Sequence, residues 1–165
     1  MGTKFTEVIE GIIKAAGGPE GYEKEGHYHL RVENEPYMPL VIESWDGPQR
    51  DESGLPVTYI SVAHYFKQNG DTVPDPEVLI LSNGQPIEIS QVLGYSRCAW
   101  FEKGRLQVNP VVSKDIQGFL NIWAKNLKEQ GFVQAARRQA LDDPEYHKRL
   151  NEFAHGGNIG PQITR

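Results

Sequence analysis

Cysteine is nearly absent from this sequence: Cys98 is the only one among 165 residues. A single cysteine cannot form a disulfide within the chain, so a disulfide-stapled fold is excluded and we expect a reducing, cytoplasmic environment. Long apolar runs are missing too. No stretch of about 18 apolar residues occurs, so no membrane-spanning helix is expected. The apolar residues near the N-terminus are interrupted by Glu7 and Glu10, so we expect no signal peptide.

The sequence also lacks the short motifs of common enzyme classes. It contains no GxSxG, no P-loop, no GxGxxG, no HExxH and no CxxC pair. These absences exclude the usual nucleophile elbow, the phosphate and dinucleotide loops and the common zinc motifs. We therefore expect no cofactor.

Basic charge is scarce in most of the chain. The net charge is −5, and residues 1–122 carry 17 acidic and 10 basic side chains. Such a surface repels phosphate, so nucleic-acid binding is not expected in general. The C-terminal region holds a basic set with two interleaved aromatics, Trp123 and Tyr146, that could stack a base. The set comprises Lys125, Lys128, Arg137, Arg138, Lys148 and Arg149. Acidic residues lie among them, which is typical of a solvated helical face.

Periodicity predicts an α+β fold. Apolar residues three and four positions apart predict helices over about residues 4–16 and 113–130, the second capped by Ser113. Asn83-Gly84 is the strongest hairpin signal. Further helices are predicted over 133–141 and 143–153. Strands are predicted at 27–32, 37–45, 57–65, 78–81 and 87–89, with a hairpin formed by 98–101 and 106–108.

The short connections between these strands predict an antiparallel meander of five or six strands with the helices on one face. A polar loop is predicted over residues 46–56. We expect a single domain over residues 1–154 and a flexible tail over 155–165.

Polar side chains that could take part in catalysis or metal binding are densest from His64 to Glu77. We predict this segment to be a strand end followed by a loop. This segment contains His64, Asn69, Asp71, Asp75 and Glu77. A histidine with several carboxylates can bind a divalent cation or perform acid–base chemistry. The same residues are good turn formers. A catalytic or metal site, a binding loop and a plain turn all remain open.

Two aromatic residues complete the candidate binding set. Tyr65 follows His64, and Trp45 stands at a predicted strand end beside Asp46-Gly47, where we expect it to be exposed. The predicted binding residues are therefore Trp45, His64, Tyr65, Asn69, Asp71, Asp75 and Glu77.

Histidine spacing offers an alternative metal site. On a strand, His27 and His29 point to the same face, and with His64 as a third ligand they would suit zinc. Tyr28, Leu30 and Val32 form the apolar face of that strand, so both histidines can equally face water. Cys98 lies in an apolar run and is predicted to be a buried small hydrophobe.

Three segments resemble a family of uncharacterised domains found in bacteria, phages and plasmids. The residues that carry the resemblance are Ser61-Val62-Ala63-His64-Tyr65, Gln68-Asn69-Gly70-Asp71 and Asp75-Pro76-Glu77, together with the strand 37–43 and the helix 119–132. The resemblance covers about residues 25–132 and assigns no catalytic residue. It implies cargo of a mobile element, often near conjugation or counter-defence genes.

These observations leave three hypotheses for function. The first is a non-enzymatic accessory protein that binds a host protein or a small signalling ligand. The second is a metal-assisted hydrolase or nucleotide-processing enzyme using the His64–Glu77 segment. The third is nucleic-acid binding through the C-terminal helices. The absence of catalytic motifs favours the first.

Overall fold

The computed structural model describes residues 2–19, 26–145 and 148. An antiparallel six-stranded sheet carries the described helices on one face, which confirms the predicted α+β meander. The strands are β1 (His27–Val32), β2 (Leu40–Arg50), β3 (Pro56–Gln68), β4 (Asp71–Leu81), β5 (Pro86–Gln91) and β6 (Gly94–Arg97), and each pairs with the next. A separate hairpin follows, formed by β7 (Ala99–Glu102) and β8 (Arg105–Val108). The helices are α1 (Lys4–Ala15), α2 (Pro110–Glu129) and α3 (Phe132–Leu141).

The predicted loop after His64 is wrong. β3 continues to Gln68 and β4 starts at Asp71, so Asn69-Gly70 is the whole turn. Both turn residues have positive φ, 52° and 86°, which is the geometry of a tight hairpin turn. Backbone pairing continues through polar residues, with Lys67 opposite Thr72 and Gln68 opposite Asp71. Lys67 Nζ also donates to Thr72 Oγ1 at 3.1 Å. Apolar periodicity does not detect such a pairing.

Asp75-Pro76, a dipeptide typical of turns, is likewise part of β4. The pairing of β3 with β4 shifts register between Ala63 and Tyr65, opposite this dipeptide. Such an irregularity accommodates a proline, which has no N–H for the ladder.

Other strand ends also differ from the prediction. β2 begins at Leu40 and runs to Arg50, so the polar connection is confined to residues 51–55. β6 was not predicted, because its four residues are all exposed and show no apolar alternation.

Helix α2 begins earlier than predicted. Its N-cap is Asn109, whose Oδ1 accepts hydrogen bonds from the backbone N–H groups of Val111 (3.2 Å) and Val112 (3.3 Å). Pro110 occupies the first turn, where a missing N–H costs nothing. Ser113, the predicted cap, lies inside the helix.

The core lies between the helices and one sheet face. Phe5, Ile9 and Ile12 of α1 are fully buried, as expected for an amphipathic helix. The fully buried residues that face them include Val32, Leu40, Ile42, Val62, Val78 and Ile80 of the sheet and Leu120 and Leu127 of α2. Cys98 is fully buried as well, as predicted.

None of the helices in the described residues has the length and apolar character needed to cross a membrane. The predicted tail over 155–165 and nearly all of the predicted helix over 143–153 lie outside the described residues.

Candidate functional site

The candidate binding residues divide between the two faces of the sheet. His64 pairs with the buried Leu40 and lies on the helix-covered face. Tyr65 is the next residue along β3 and therefore faces the other way. We call the sheet face opposite the helices the open face.

Three of the predicted binding residues lie on the open face, and the others lie elsewhere. Glu77 pairs with Ala63, and Trp45 pairs with Tyr59, so alternation sets Trp45, Tyr65 and Glu77 on this face. Asn69 and Asp71 lie at the exposed β3–β4 turn. Asp75 Oδ1 accepts a hydrogen bond from the Val92 N–H at 3.2 Å.

The alternative zinc site is wrong. His27 and His29 are exposed on β1, whereas His64 is buried on the opposite face of the sheet. His27 Nε2 lies 3.4 Å from Glu43 Oε2 instead. Across residues 2–19, 26–145 and 148, no group of three or more histidine, cysteine, aspartate or glutamate side chains could hold a metal ion.

The open face contains a pocket of about 210 Å³, which we call the open-face pocket. Its lining residues are Trp45, Ser61, Glu77, Leu79, Glu88 and Ser90. Trp45 and Leu79 supply apolar surface, the two serines supply hydroxyls, and Glu77 and Glu88 supply carboxylates. Ser61 Oγ donates to Glu77 Oε2 at 3.4 Å.

The aromatic wall of the pocket is fixed by its neighbours. The rings of Trp45 and Tyr59 stack with their centroids 5.9 Å apart and their planes 17° apart. Tyr59 Oη donates to Gln49 Oε1 at 3.0 Å. A Cβ at Gly47 would lie 2.3 Å from Cε2 of Tyr59, so only glycine lets this ring lie against β2. The stack is therefore held before any ligand arrives.

Neither carboxylate of the pocket takes part in an ion pair among the described residues. Among the described residues, two contacts within 4.0 Å join a carboxylate to a basic side chain, His27–Glu43 and Arg31–Glu33, and neither includes Glu77 or Glu88. Arg97 is directly opposite Glu88 in register, but its guanidinium lies over the Trp100 ring, 5.5 Å from the centroid. The open-face pocket is therefore a negatively charged recess.

Two tyrosines near the pocket are affected by this charge. Burial raises the pKa of Tyr65, and the negative charges of Glu77 and Glu43 raise it further. The pKa of Tyr95 is raised first by its hydrogen bond to Glu88, then by burial and by the charge of Glu88, against a smaller opposing effect of the Arg97 charge. Both effects favour the neutral phenol, as expected beside carboxylates.

A second recess, on the helix-covered face, contains His64. We call it the His64 cleft; its volume is about 250 Å³. It is lined by Tyr37, Met38, His64, Pro76, Phe119, Ile122, Trp123, Asn126 and Gln130. His64 is 8% exposed, and its ring centroid lies 5.5 Å from that of Trp123 and 5.6 Å from that of Phe132.

His64 is held as a neutral ring. Burial lowers its pKa, against a smaller opposing effect of hydrogen bonds to the backbone of Pro39 and Met38. Its Nδ1 lies 3.2 Å from the Pro39 carbonyl oxygen. A carbonyl can only accept, so Nδ1 carries the proton and Nε2 carries the lone pair.

A family model described as a domain of unknown function, DUF6908, matches residues 7–133. The chain belongs to the DUF6908 family. No curated protein and no solved structure matches the chain. The matched region contains every lining residue of both recesses, so the open-face pocket and the His64 cleft both lie within the DUF6908 domain.

The remaining predicted candidates do not form a joint surface with Trp123. Lys125, Lys128, Arg137 and Arg138 are exposed on α2 and α3. Trp123 is only 5% exposed and packs against Phe5, so it is not a stacking platform among them. Tyr146 and Arg149 lie outside the described residues.

Sequence reasoning missed several pocket residues of this DUF6908 domain. Ser61 lies between Ile60 and Val62, and Glu88 lies between Ile87 and Ile89. A polar residue between two buried apolar neighbours is the signal of an outward-facing strand position. Applied to each strand, that signal finds Ser61 and Glu88 but not Ser90, which is followed by the exposed Gln91. It does not reveal that they share a pocket, because this requires the order and register of the strands.

Proposed function

We propose that this DUF6908 domain is a non-enzymatic accessory protein of a phage or other mobile element that binds a basic host protein through its open face. The observation that carries the proposal is the open-face pocket. It combines an aromatic wall with Glu77 and Glu88, two carboxylates that form no ion pair within the described residues.

The chemistry of the pocket fits a lysine or arginine side chain. The aliphatic stem would lie against Trp45 and Leu79, since long basic side chains pack their methylenes on apolar surface. The charged head would interact with Glu77 and Glu88, and tryptophan attracts a cation held over its ring. The hydroxyls of the two serines can accept the remaining N–H groups.

The charge of the whole chain supports a basic partner. The net charge is −5, and residues 1–122 carry most of the acidic excess. Complementary charge accelerates encounter and disfavours wrong partners. Proteins that handle nucleic acid have basic surfaces, and a mobile element gains by blocking those that act in host defence. Counter-defence is therefore the role that we propose, and the family resemblance supports the mobile-element setting.

The geometry does not favour the enzymatic alternative. A hydrolase would need His64 within reach of the carboxylates of its segment. His64 and Glu77 leave the sheet on opposite faces. Binding requires no such convergence.

A capture experiment with charge variants tests the proposal. Tagged wild-type protein is incubated with bacterial lysates, and retained proteins are identified by mass spectrometry. The test variant is Glu77→Gln/Glu88→Gln. The matched control is Glu10→Gln/Glu129→Gln, which removes the same charge from exposed helix positions.

The expected result is a basic protein retained by wild type and control but reduced about ten-fold or more in the test variant. Its retention should also weaken with added salt. If the same proteins are retained equally by the test variant, or if no protein is retained specifically, the proposal is wrong.

A further inference from the structure

We propose that the His64 cleft is a second binding site, for an uncharged planar heteroaromatic ring of about nucleobase size that carries both a hydrogen-bond acceptor and a donor. This site lies on the opposite side of the sheet from the open-face pocket, and it does not depend on the function proposed above.

The first observation is an unpaired donor. Among the described residues, Trp123 Nε1 is the one buried side-chain nitrogen or oxygen that has no hydrogen-bond partner. Trp123 is 5% exposed and belongs to the lining of the cleft. A buried polar group without a partner costs free energy, and native proteins rarely leave one. A ligand that offers an acceptor to this N–H removes the cost.

The second observation is a fixed acceptor. Nδ1 of His64 carries the ring proton toward the Pro39 carbonyl, so the lone pair is on Nε2. A neutral imidazole carries one proton, so one of its two ring nitrogens is an acceptor. Trp123 and His64 both line the cleft, so a ligand with an N–H beside its acceptor complements the unpartnered indole N–H and the acceptor nitrogen of the imidazole.

The size and walls of the cleft favour a flat ring. A cavity of about 150 Å³ accommodates benzene, so the about 250 Å³ available here accommodates a larger, bicyclic ring. The walls include Phe119 and Trp123, whose centroids are 6.0 Å apart. At the rim, Tyr37, Met38 and Ile122 are 42%, 40% and 63% exposed and supply apolar surface at the mouth of the cleft.

The rim is held in place by contacts from both sides. Asn34 Nδ2 donates to the carbonyl of Gln130 at 2.8 Å, which ties the β1–β2 connection to the end of α2. The rings of Tyr37 and Phe132 lie 6.3 Å apart. The cleft is therefore formed without its ligand, as small-molecule sites usually are.

Charge limits the class of ligand. The lining contains no lysine, arginine, aspartate or glutamate, and burial keeps His64 neutral. A charged ring would lose its hydration without gaining a counter-charge. The acidic excess of residues 1–122 also repels phosphate, so a free base or nucleoside fits better than a base within nucleic acid.

Calorimetry and ligand-observed NMR with adenine, adenosine and cytosine as probes test the proposal. We expect saturable binding with a Kd of about 10 mM or tighter, as is typical for ligands of this size. Benzoate, a planar anion, should bind at least about ten-fold more weakly. An oligoadenylate of ten nucleotides should also bind more weakly per base; tighter binding would indicate nucleic acid and overturn the small-molecule assignment.

Variants then locate the site. Trp123→Phe keeps an aromatic ring but removes the N–H, and should weaken adenine binding at least about ten-fold. Trp100→Phe makes the same change outside the cleft and should leave affinity unchanged. Equal affinity in both variants, or no saturable binding to wild type, overturns the proposal.

A second measurement avoids any change to the core. In Trp45→Phe/Trp100→Phe, Trp123 is the only tryptophan left in the chain. Its emission should change saturably with cytosine, with the affinity found by calorimetry. An unchanged emission at saturation would overturn the proposal even if Trp123→Phe does not fold.

Discussion

His64 and Tyr65 are consecutive residues of β3, and their side chains lie in different environments on opposite sides of one sheet. The His64 ring contacts Trp123 and Phe132 beneath α2 and α3. The Tyr65 hydroxyl lies in the negative field of Glu77 and Glu43. Because the sheet is a single layer, the two proposed surfaces are separated by little more than one backbone, and each can be altered by substitutions that leave the other intact.

We predict that Gly47→Ala lowers the stability of the protein and disturbs the Trp45–Tyr59 stack. The new Cβ would lie 2.3 Å from Cε2 of Tyr59, so the ring must move. Overpacking of this kind costs about 1–3 kcal/mol. Denaturant unfolding measures the change. Gly11→Ala is the control: nothing lies within 4 Å of its new Cβ on α1, and the change should stabilise the helix by about 0.5–1 kcal/mol. Equal effects of the two substitutions would contradict this packing.

We predict that the stability of the protein falls as the pH is lowered below about 6.5, the pKa of an unfolded histidine. His64 has a lowered pKa in the fold because it is buried, so between the two pKa values the unfolded chain binds a proton that the folded chain does not. The contribution of His64 to the free energy of unfolding is therefore complete above about pH 6.5 and is lost as the pH falls toward the pKa of His64 in the folded protein. The free energy of unfolding changes by at most about 1.4 kcal/mol per pH unit.

Unfolding curves measured at several pH values check this prediction. His64→Gln should flatten the dependence between about pH 5 and 6.5, because glutamine does not titrate. His29→Gln, an exposed position on β1, should retain the wild-type slope. Parallel curves for wild type and His64→Gln would show that another group is responsible.

We predict that Cys98 does not react with thiol reagents in the folded protein. The side chain is fully buried, and its Sγ donates to the Pro86 carbonyl at 2.9 Å. Burial raises the pKa of the thiol, which a hydrogen bond with Ser113 only partly offsets. Labelling should be at least about 100-fold slower than in denaturant. Ser53→Cys, at an exposed turn position, supplies a second thiol that should react at once. Fast labelling of both would mean that Cys98 is accessible.

We predict that Asn109→Ala destabilises the protein by about 1 kcal/mol, since it removes the acceptor for two backbone N–H groups at the start of α2. Thermal or denaturant unfolding measures the loss. Asn121→Ala changes the same residue type in an exposed position inside α2 and should be neutral or slightly stabilising, because alanine favours helix. If Asn121→Ala lowers the free energy of unfolding as much as Asn109→Ala does, loss of the Asn109 cap is not the cause of the destabilisation.

The sequence predicts the fold better than the sites. β1 has its predicted bounds, residues 27–32, because its apolar and polar positions alternate cleanly. α3 starts one residue earlier than predicted, at Phe132. Where pairing extends through polar residues, as after Tyr65 in β3, the apolar pattern ends before the strand does. β6 is exposed throughout and carries no such pattern.

The sites depend on contacts between distant segments. That Tyr65 and Glu77 share a face follows from alternation only once the β3–β4 hairpin and its register are known. The proximity of His64 and Trp123 depends on how α2 packs across β3, and residues 59 positions apart carry no local signal of such a contact. Charge and residue type can therefore identify candidates in this chain, but tertiary packing decides which of them meet.

The alternation along β3 also limits how this sequence can change during evolution. A substitution alters one face at one position. Inserting or deleting a single residue between Ser61 and His64 would exchange the faces of everything beyond it, moving His64 into water and Tyr65 into the core. We therefore expect relatives of this chain to vary in the length of the 51–55 connection while keeping the number of residues in this stretch of β3 constant.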